Sequence, residues 1–391
     1  MASRLNSVPA RVASAAIVAT CLALLAPSWA AACPFCVALE PTLAQKSEAA
    51  RVSLIGEVLS TAKTGSATLK VHRVLTGAKV LAGKSDIEIK LAAAPQPGTL
   101  VVLFGDGKDG DPLGKLTWTW LKLDEASYAY LARLPSSKVP QPERLAYFAR
   151  FLEHADPLLA RDGYLEFAHA SFVDVEAVAD KLPVARLRAW IGDERVRPER
   201  KGFFALALGL PRDPADRATN AELLKKLILE PEDDFRAGFD GIIGGYLLLA
   251  GEPGLELIES RYLANPAARD GDVRHAVLAV RFYYEFGRDI PRERLCQAVR
   301  NLLARPEFTA AAITDLARWQ DWQPLSRIAA LYENKAYAEP AIRRAIVGYL
   351  LTCPQGAAGT ALARLRAADP EGVAAAEQAI LRAGSVGASE R

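Results

Sequence analysis

The chain has 391 residues, 51% of them hydrophobic and 24% charged, which is a globular composition with enough apolar matter for two or three domains. The formal net charge is +2, and Arg4 and Arg11 are the only charged residues before Cys33, so the remainder carries 2 − 2 = 0. That balance excludes the net basic footprint of a nucleic-acid or anionic-membrane binder, and no nucleic-acid partner is expected.

Residues 1–32 have the order of a secretory signal: Arg4 and Arg11, an apolar run from Val12 to Ala26, the helix breaker Pro27, then small residues. The run is too short to cross a membrane, so an exported protein with no transmembrane segment is expected. Cleavage after Ala30 would leave Ala31 first, and cleavage after Ala32 would leave Cys33 first. A lipid anchor on Cys33 is a third outcome.

Directly behind the signal stands Cys33-Pro34-Phe35-Cys36. Of five cysteines, Cys21 lies inside the signal, which leaves Cys33, Cys36, Cys296 and Cys353, too few to scaffold so long a chain with disulfides. Cys33 and Cys36 fit a structural disulfide, a redox pair or a metal clip. The redox reading rests on a helix N-terminus stabilising the first thiolate, and the motif resembles that of glutaredoxins. Haem attachment is excluded, because Val37 stands where a histidine is required. Met1 is the only methionine, so no thioether chemistry remains.

From Arg51 to Asp124 the pattern has period two. "RVSLIGEVLS", "ATLKVHRVL", "DIEIKLA", "TLVVLFG" and "KLTWTWLKL" each predict a strand, punctuated by Gly65, Gly77, Gly83 and the glycine-rich "GDGKDGDPLG". Five antiparallel strands in so short a segment need closure, and a small five-stranded OB-like barrel over 33–133 is the economical answer. The cysteine pair, "ARVSLIGEV" and "ATLKVHRVLTG" resemble a netrin-like domain, the OB-fold type of the tissue inhibitors of metalloproteases. The resemblance covers Cys33 to about Asp124. It implies that the cysteine pair pins the N-terminus to the barrel, and that a first-residue Cys33 could chelate a protease zinc. No cysteine lies between Cys36 and Cys296 to complete such a family's bridges.

Residues 134–143, "LPSSKVPQPE", predict a linker, after which the period becomes helical. A dozen short helices follow over 144–380, and 381–391 predict a flexible tail. "HADPLLARDGYLEFA", "RDGDVRHAVLAVRFY" and "EPAIRRAIVGYLL" share an acidic or proline-containing entry, an arginine and an apolar face. Arg274 and Arg343 stand 69 apart, about two units of a paired-helix solenoid. The array resembles HEAT-like repeats, so the expected fold class is a small antiparallel β barrel followed by an all-α HEAT-like solenoid. At one helix entry Asp156 is placed to cap, with Pro157 at the first helical position.

Trp319 and Trp322 in "LARWQDWQP" are the binding candidates: two indoles three apart fit a stacking platform for sugar or peptide, and equally a core pair at an inter-repeat seam. Glu166 and His169, near His154, Asp156 and Asp162, fit a metal site or the polar edge of a helix. The glycines of "GFDGIIGGYLLLAG" lack a Lys-Ser/Thr ending and predict close helix packing rather than a phosphate cradle. Cys296 and Cys353 read as buried thiols, with a bridge between them conceivable. No nucleophile signature, paired-carboxylate motif or cofactor loop is present, and no cofactor or resident metal is expected. The function expected is therefore that of an exported, non-enzymatic interaction or scaffold protein with a protein or peptide partner. The alternative is a thiol–disulfide or metal-handling protein working through Cys33 and Cys36.

Overall fold

Alternating Val, Ile, Leu and Trp produce five strands: β1 (Val52–Thr61), β2 (Ser66–Thr76), β3 (Asp86–Lys90), β4 (Leu100–Asp106) and β5 (Thr117–Lys122). The computed structural model describes residues 40–62, 65–231 and 236–389. The expected signal, Cys33 and Cys36 lie outside the described residues. Two compact units are present, one ending at Asp216 and one beginning at Arg217.

The strands form one antiparallel sheet in the order β3-β2-β1-β4-β5. It curls into a half-barrel, and its edge strands β3 and β5 approach each other. The circular order is thus β1-β2-β3-β5-β4, that of an OB barrel with one seam lacking a hydrogen-bonded ladder. Trp120 spans from that edge, its Nε1 donating to the Ala93 carbonyl at 2.8 Å. Inside the curl, Val52, Leu54 and Val58 of β1 meet Leu69, Ile87, Ile89, Val101, Leu103 and Trp118. Gly105 is required there, because a Cβ would lie 2.8 Å from the Trp118 ring. Gly77, at φ 78°, turns the chain after β2 where a Cβ would sit 2.2 Å from the Arg51 carbonyl. Ser53, Ile55, Val102 and Phe104 are buried on the other face, so the sheet is covered on both sides.

Among the described residues, eight α-helices belong to this unit: α1 (Leu43–Ala49), α2 (Ala78–Leu81), α3 (Glu125–Ala132), α4 (Gln141–Phe148), α5 (Pro157–Ala168), α6 (Phe172–Ala177), α7 (Val184–Gly192) and α8 (Pro198–Leu208). Thr42 and Gln45 close a reciprocal cap on α1. Asp156 accepts from the Leu158 N–H at 2.8 Å with Pro157 beginning α5, as the Asp-Pro entry predicts. The stretch 134–143 lies inside the unit, and α4 already begins at Gln141.

The second unit carries α9 (Pro214–Leu229), α10 (Phe239–Ile258), α11 (Asp270–Phe286), α12 (Arg292–Arg300), α13 (Pro306–Arg318), α14 (Leu325–Leu331), α15 (Pro340–Thr352), α16 (Gly356–Ala368) and α17 (Pro370–Ser389). The chain expected as a tail is thus helical as far as Ser389. α13 packs on α15 and α15 on α17, the stacking of equivalent helices in successive helix pairs. The same period recurs in the polar contacts. Arg281 donates to Asp315 at 2.7 Å across 34 residues, Arg305 to Asp270 at 2.7 Å across 35, and Arg294 to Glu259 across 35. Tyr262 reaches the Ile228 carbonyl across 34 residues at 3.0 Å. Each of these contacts therefore spans about one repeat length.

α10 is kinked at Gly251 (φ 59°) with Pro253 inside it. The missing proline N–H frees the Leu249 carbonyl, and Arg217 Nη2 covers the exposed turn, 3.0 Å from the Leu248 oxygen and 3.5 Å from that of Leu249. The stretch Phe239–Leu263 is long and apolar enough to cross a membrane by length and composition, yet half of its apolar window is buried in the unit.

Candidate functional site in the helical array

The C-terminal end of α13 places the two tryptophans. Trp319 ends the helix, the Gln320 N–H donates to Ala317 O at 3.1 Å and the Asp321 N–H to Leu316 O at 2.8 Å. These two bonds define a Schellman turn, in which the residue at the position of Gln320 must take left-handed backbone; Gln320 does so at φ 58°. Glycine holds this conformation without steric cost, whereas a residue with a Cβ pays about 1–2 kcal/mol. The glutamine is thus kept against a local preference, and its exposed amide lines a cleft.

The cleft has a volume of about 430 Å³ and is assembled from separate elements: Tyr284 on α11, Arg292 and Cys296 on α12, the 319–323 turn and Gln355 before α16. Trp319 and Tyr284 stack with centroids 4.1 Å apart and planes within 10°. Arg292 lies over the Tyr284 ring, 5.0 Å from its centroid. Trp322 is half-buried and meets the buried Tyr349 edge-on at 5.0 Å. One indole is therefore mainly a wall in the core, only 8% exposed, while the other is presented at the opening. Trp319 thus sits as the core reading expects, and Trp322 lines the cleft with part of its surface open.

Arg300 locks the turn. Its fork donates to both oxygens of Asp321 at 2.6 and 2.7 Å, to Glu293 at 2.9 Å and to Gln323 Oε1 at 3.1 Å. The Tyr349 hydroxyl donates to the Asp321 carbonyl at 2.7 Å. Both acidic groups of the cleft are thereby held in place on one guanidinium. Arg292 has no carboxylate partner among the described residues. Gln355 makes no capping hydrogen bond with α16. Burial and the Asp321 charge push the Cys296 thiol up to about 12, so it stands in the cleft as an unreactive SH. Cys296 and Cys353 are both free, which removes the bridge considered between them.

A second concentration of buried chemistry lies in the first unit, where Asp162 accepts the Leu43 N–H at 2.7 Å and the Tyr130 hydroxyl at 2.6 Å. Glu166 is paired with Arg144 at 3.3 Å, and burial pushes its carboxyl up to about 7 against the pull of the Thr42 hydroxyl and the guanidinium. His169 has its Nε2 2.9 Å from the Glu40 carbonyl. These groups bind α1 and its entry to α3 and α5 as a structural hub, with Asp162 itself buried. Among the described residues no cluster of three His, Cys, Asp or Glu side chains is placed to hold a metal.

The sequence pointed to Trp319 and Trp322 but not to Tyr284, Arg292, Gln320, Gln323 or Gln355. The repeated Trp-Gln of "WQDWQ" was the available signal for two of the amides. Compared with family models, curated proteins and solved structures, the chain matches none.

Proposed function

We propose that this is an exported, non-enzymatic interaction protein whose helical array captures an extended peptide segment of a partner in the Trp319–Trp322 cleft. The observation that carries this reading is Gln320, a left-handed, non-glycine residue whose amide lines the cleft with the half-buried indole of Trp322 and the Trp319–Tyr284 wall. Amide side chains both donate and accept, so Gln320, Gln323 and Gln355 match the alternating N–H and C=O groups of an extended backbone. Trp322 supplies the apolar contact with few rotamers to freeze. The OB-like half-barrel is a second surface in this scheme.

The test is panning of a displayed random heptapeptide library against the purified protein and its Trp322→Ala variant. Enriched peptides should bind the variant at least about tenfold more weakly, the loss of a binding hot spot. Equal binding by both proteins, with the variant folded by circular dichroism, would remove the cleft from the function.

A further inference from the structure

The charges around the cleft specify more than a peptide. We infer that the cleft selects a segment carrying one carboxylate side chain, seated on Arg292, an inference that rests on the cleft being the binding site. Three groups on the page lead to it. Glu293 and Asp321 are both held by Arg300 at 2.9 Å or less, so neither is free to attract a cation. The guanidinium of Arg292 is exposed yet positioned over Tyr284 by its cation–π contact. It therefore keeps its N–H fork for an incoming acceptor, and a guanidinium fork matches the two oxygens of a carboxylate. The stack of Arg292 on Tyr284 and Tyr284 on Trp319 fixes that fork in direction, so little side-chain freedom is lost on binding.

The charge of the occupant is bounded as well. Two carboxylates line the same cleft as Arg292, and each repels a further anion. A single negative charge matches the one guanidinium without a carboxylate partner, whereas a doubly charged phosphate would bring the group of Arg292, Arg300, Glu293 and Asp321 to a net charge of 2−. The geometry thus favours an Asp or Glu side chain over a phosphorylated residue. Its neighbour in the segment would lie toward Trp322, and the flanking backbone would run along the glutamine amides.

The experiment extends the same heptapeptide library to Arg292→Gln and Arg292→Lys. The wild-type protein should enrich peptides with Asp or Glu at one position, and binding of a selected peptide should weaken between 50 and 500 mM salt. Arg292→Gln should lose that acidic preference and bind the selected peptide at least tenfold more weakly, with little remaining salt dependence. Arg292→Lys should retain the preference with reduced affinity, because the charge stays and the fork does not. Selection without an acidic position, an unchanged affinity in Arg292→Gln, or tighter binding of the phosphoserine version of the peptide overturns the carboxylate assignment. If those results come with binding that still depends on Trp322, the peptide-binding cleft stands and only its charge reading falls. Failure to enrich any peptide, or enrichment indifferent to Trp322, sinks both.

Discussion

Gln320 holds the left-handed position of its turn with a side chain that makes this conformation costly, and the cost is local. Replacing it by glycine leaves the Schellman bonds to Ala317 and Leu316 in place and removes the strain. Gln320→Gly should therefore stabilise the protein by about 1 kcal/mol while weakening peptide binding. Urea unfolding together with peptide titration reads both; a variant that is stabilised and binds normally would make the side chain dispensable. A different residue-scale effect is expected at Glu166. Burial raises its folded pKa from the ordinary 4.5 to about 7, so between these values the folded state keeps a proton that the unfolded state has released. Stability from this group is then fully present below about pH 4.5, falls as pH rises toward 7 and is flat above it. The loss is on the order of 3 kcal/mol at most. Burial also raises Asp162, whose contribution has the same sign. Unfolding midpoints measured from pH 4.5 to 8 should thus decline with pH in the wild type and decline less in Glu166→Gln; equal slopes would show that Glu166 ionises in the folded state as it does in water.

Strands were legible whether one face or both are buried, and a helix without a polar face was not. β3 alternates exposed and buried residues without exception, and its two isoleucines announce it. The Asp156-Pro157 entry to α5 was readable because the cap and the first helical residue are adjacent in sequence. In α8 Phe203 to Leu208 are all buried, so no polar face marks the helical period. α1 and α3 are short, and their hold on the unit comes from Asp162, more than a hundred residues from Leu43 in one case. Gly251 and Pro253 interrupt the helical pattern of α10, and the backbone does break there, at the non-helical Gly251, with Arg217 covering carbonyls of the preceding turn. The cleft follows the same logic. Trp319 and Trp322 share a turn and could be paired by spacing, but Tyr284 joins them from 35 residues upstream and Gln355 from a later repeat. No local pattern records a neighbour that only repeat stacking creates.

In a stacked array each repeat touches only its neighbours, so a broken tie should loosen its own seam first and leave distant structure intact. The Arg281–Asp315 pair is such a tie, joining α11 to α13 with Asp315 buried and Arg281 about one-third exposed. Asp315→Ala removes the charge-assisted bonds at the seam, and Arg281, reaching solvent, can rehydrate. The destabilisation should therefore be about 2 kcal/mol rather than the larger cost of stranding a buried charge. Hydrogen exchange gives the spatial test. Amides of α11 and α13 should lose protection, those of α17 should lose less, and those of the β1–β5 sheet in the unit ending at Asp216 should be unchanged. Uniform loss across both units would mean that the chain opens as a single cooperative body. A peptide bound in the Trp319–Trp322 cleft should act in the opposite sense. It would bridge α11, α12 and the turn after α13, restoring protection at the seam the substitution opens.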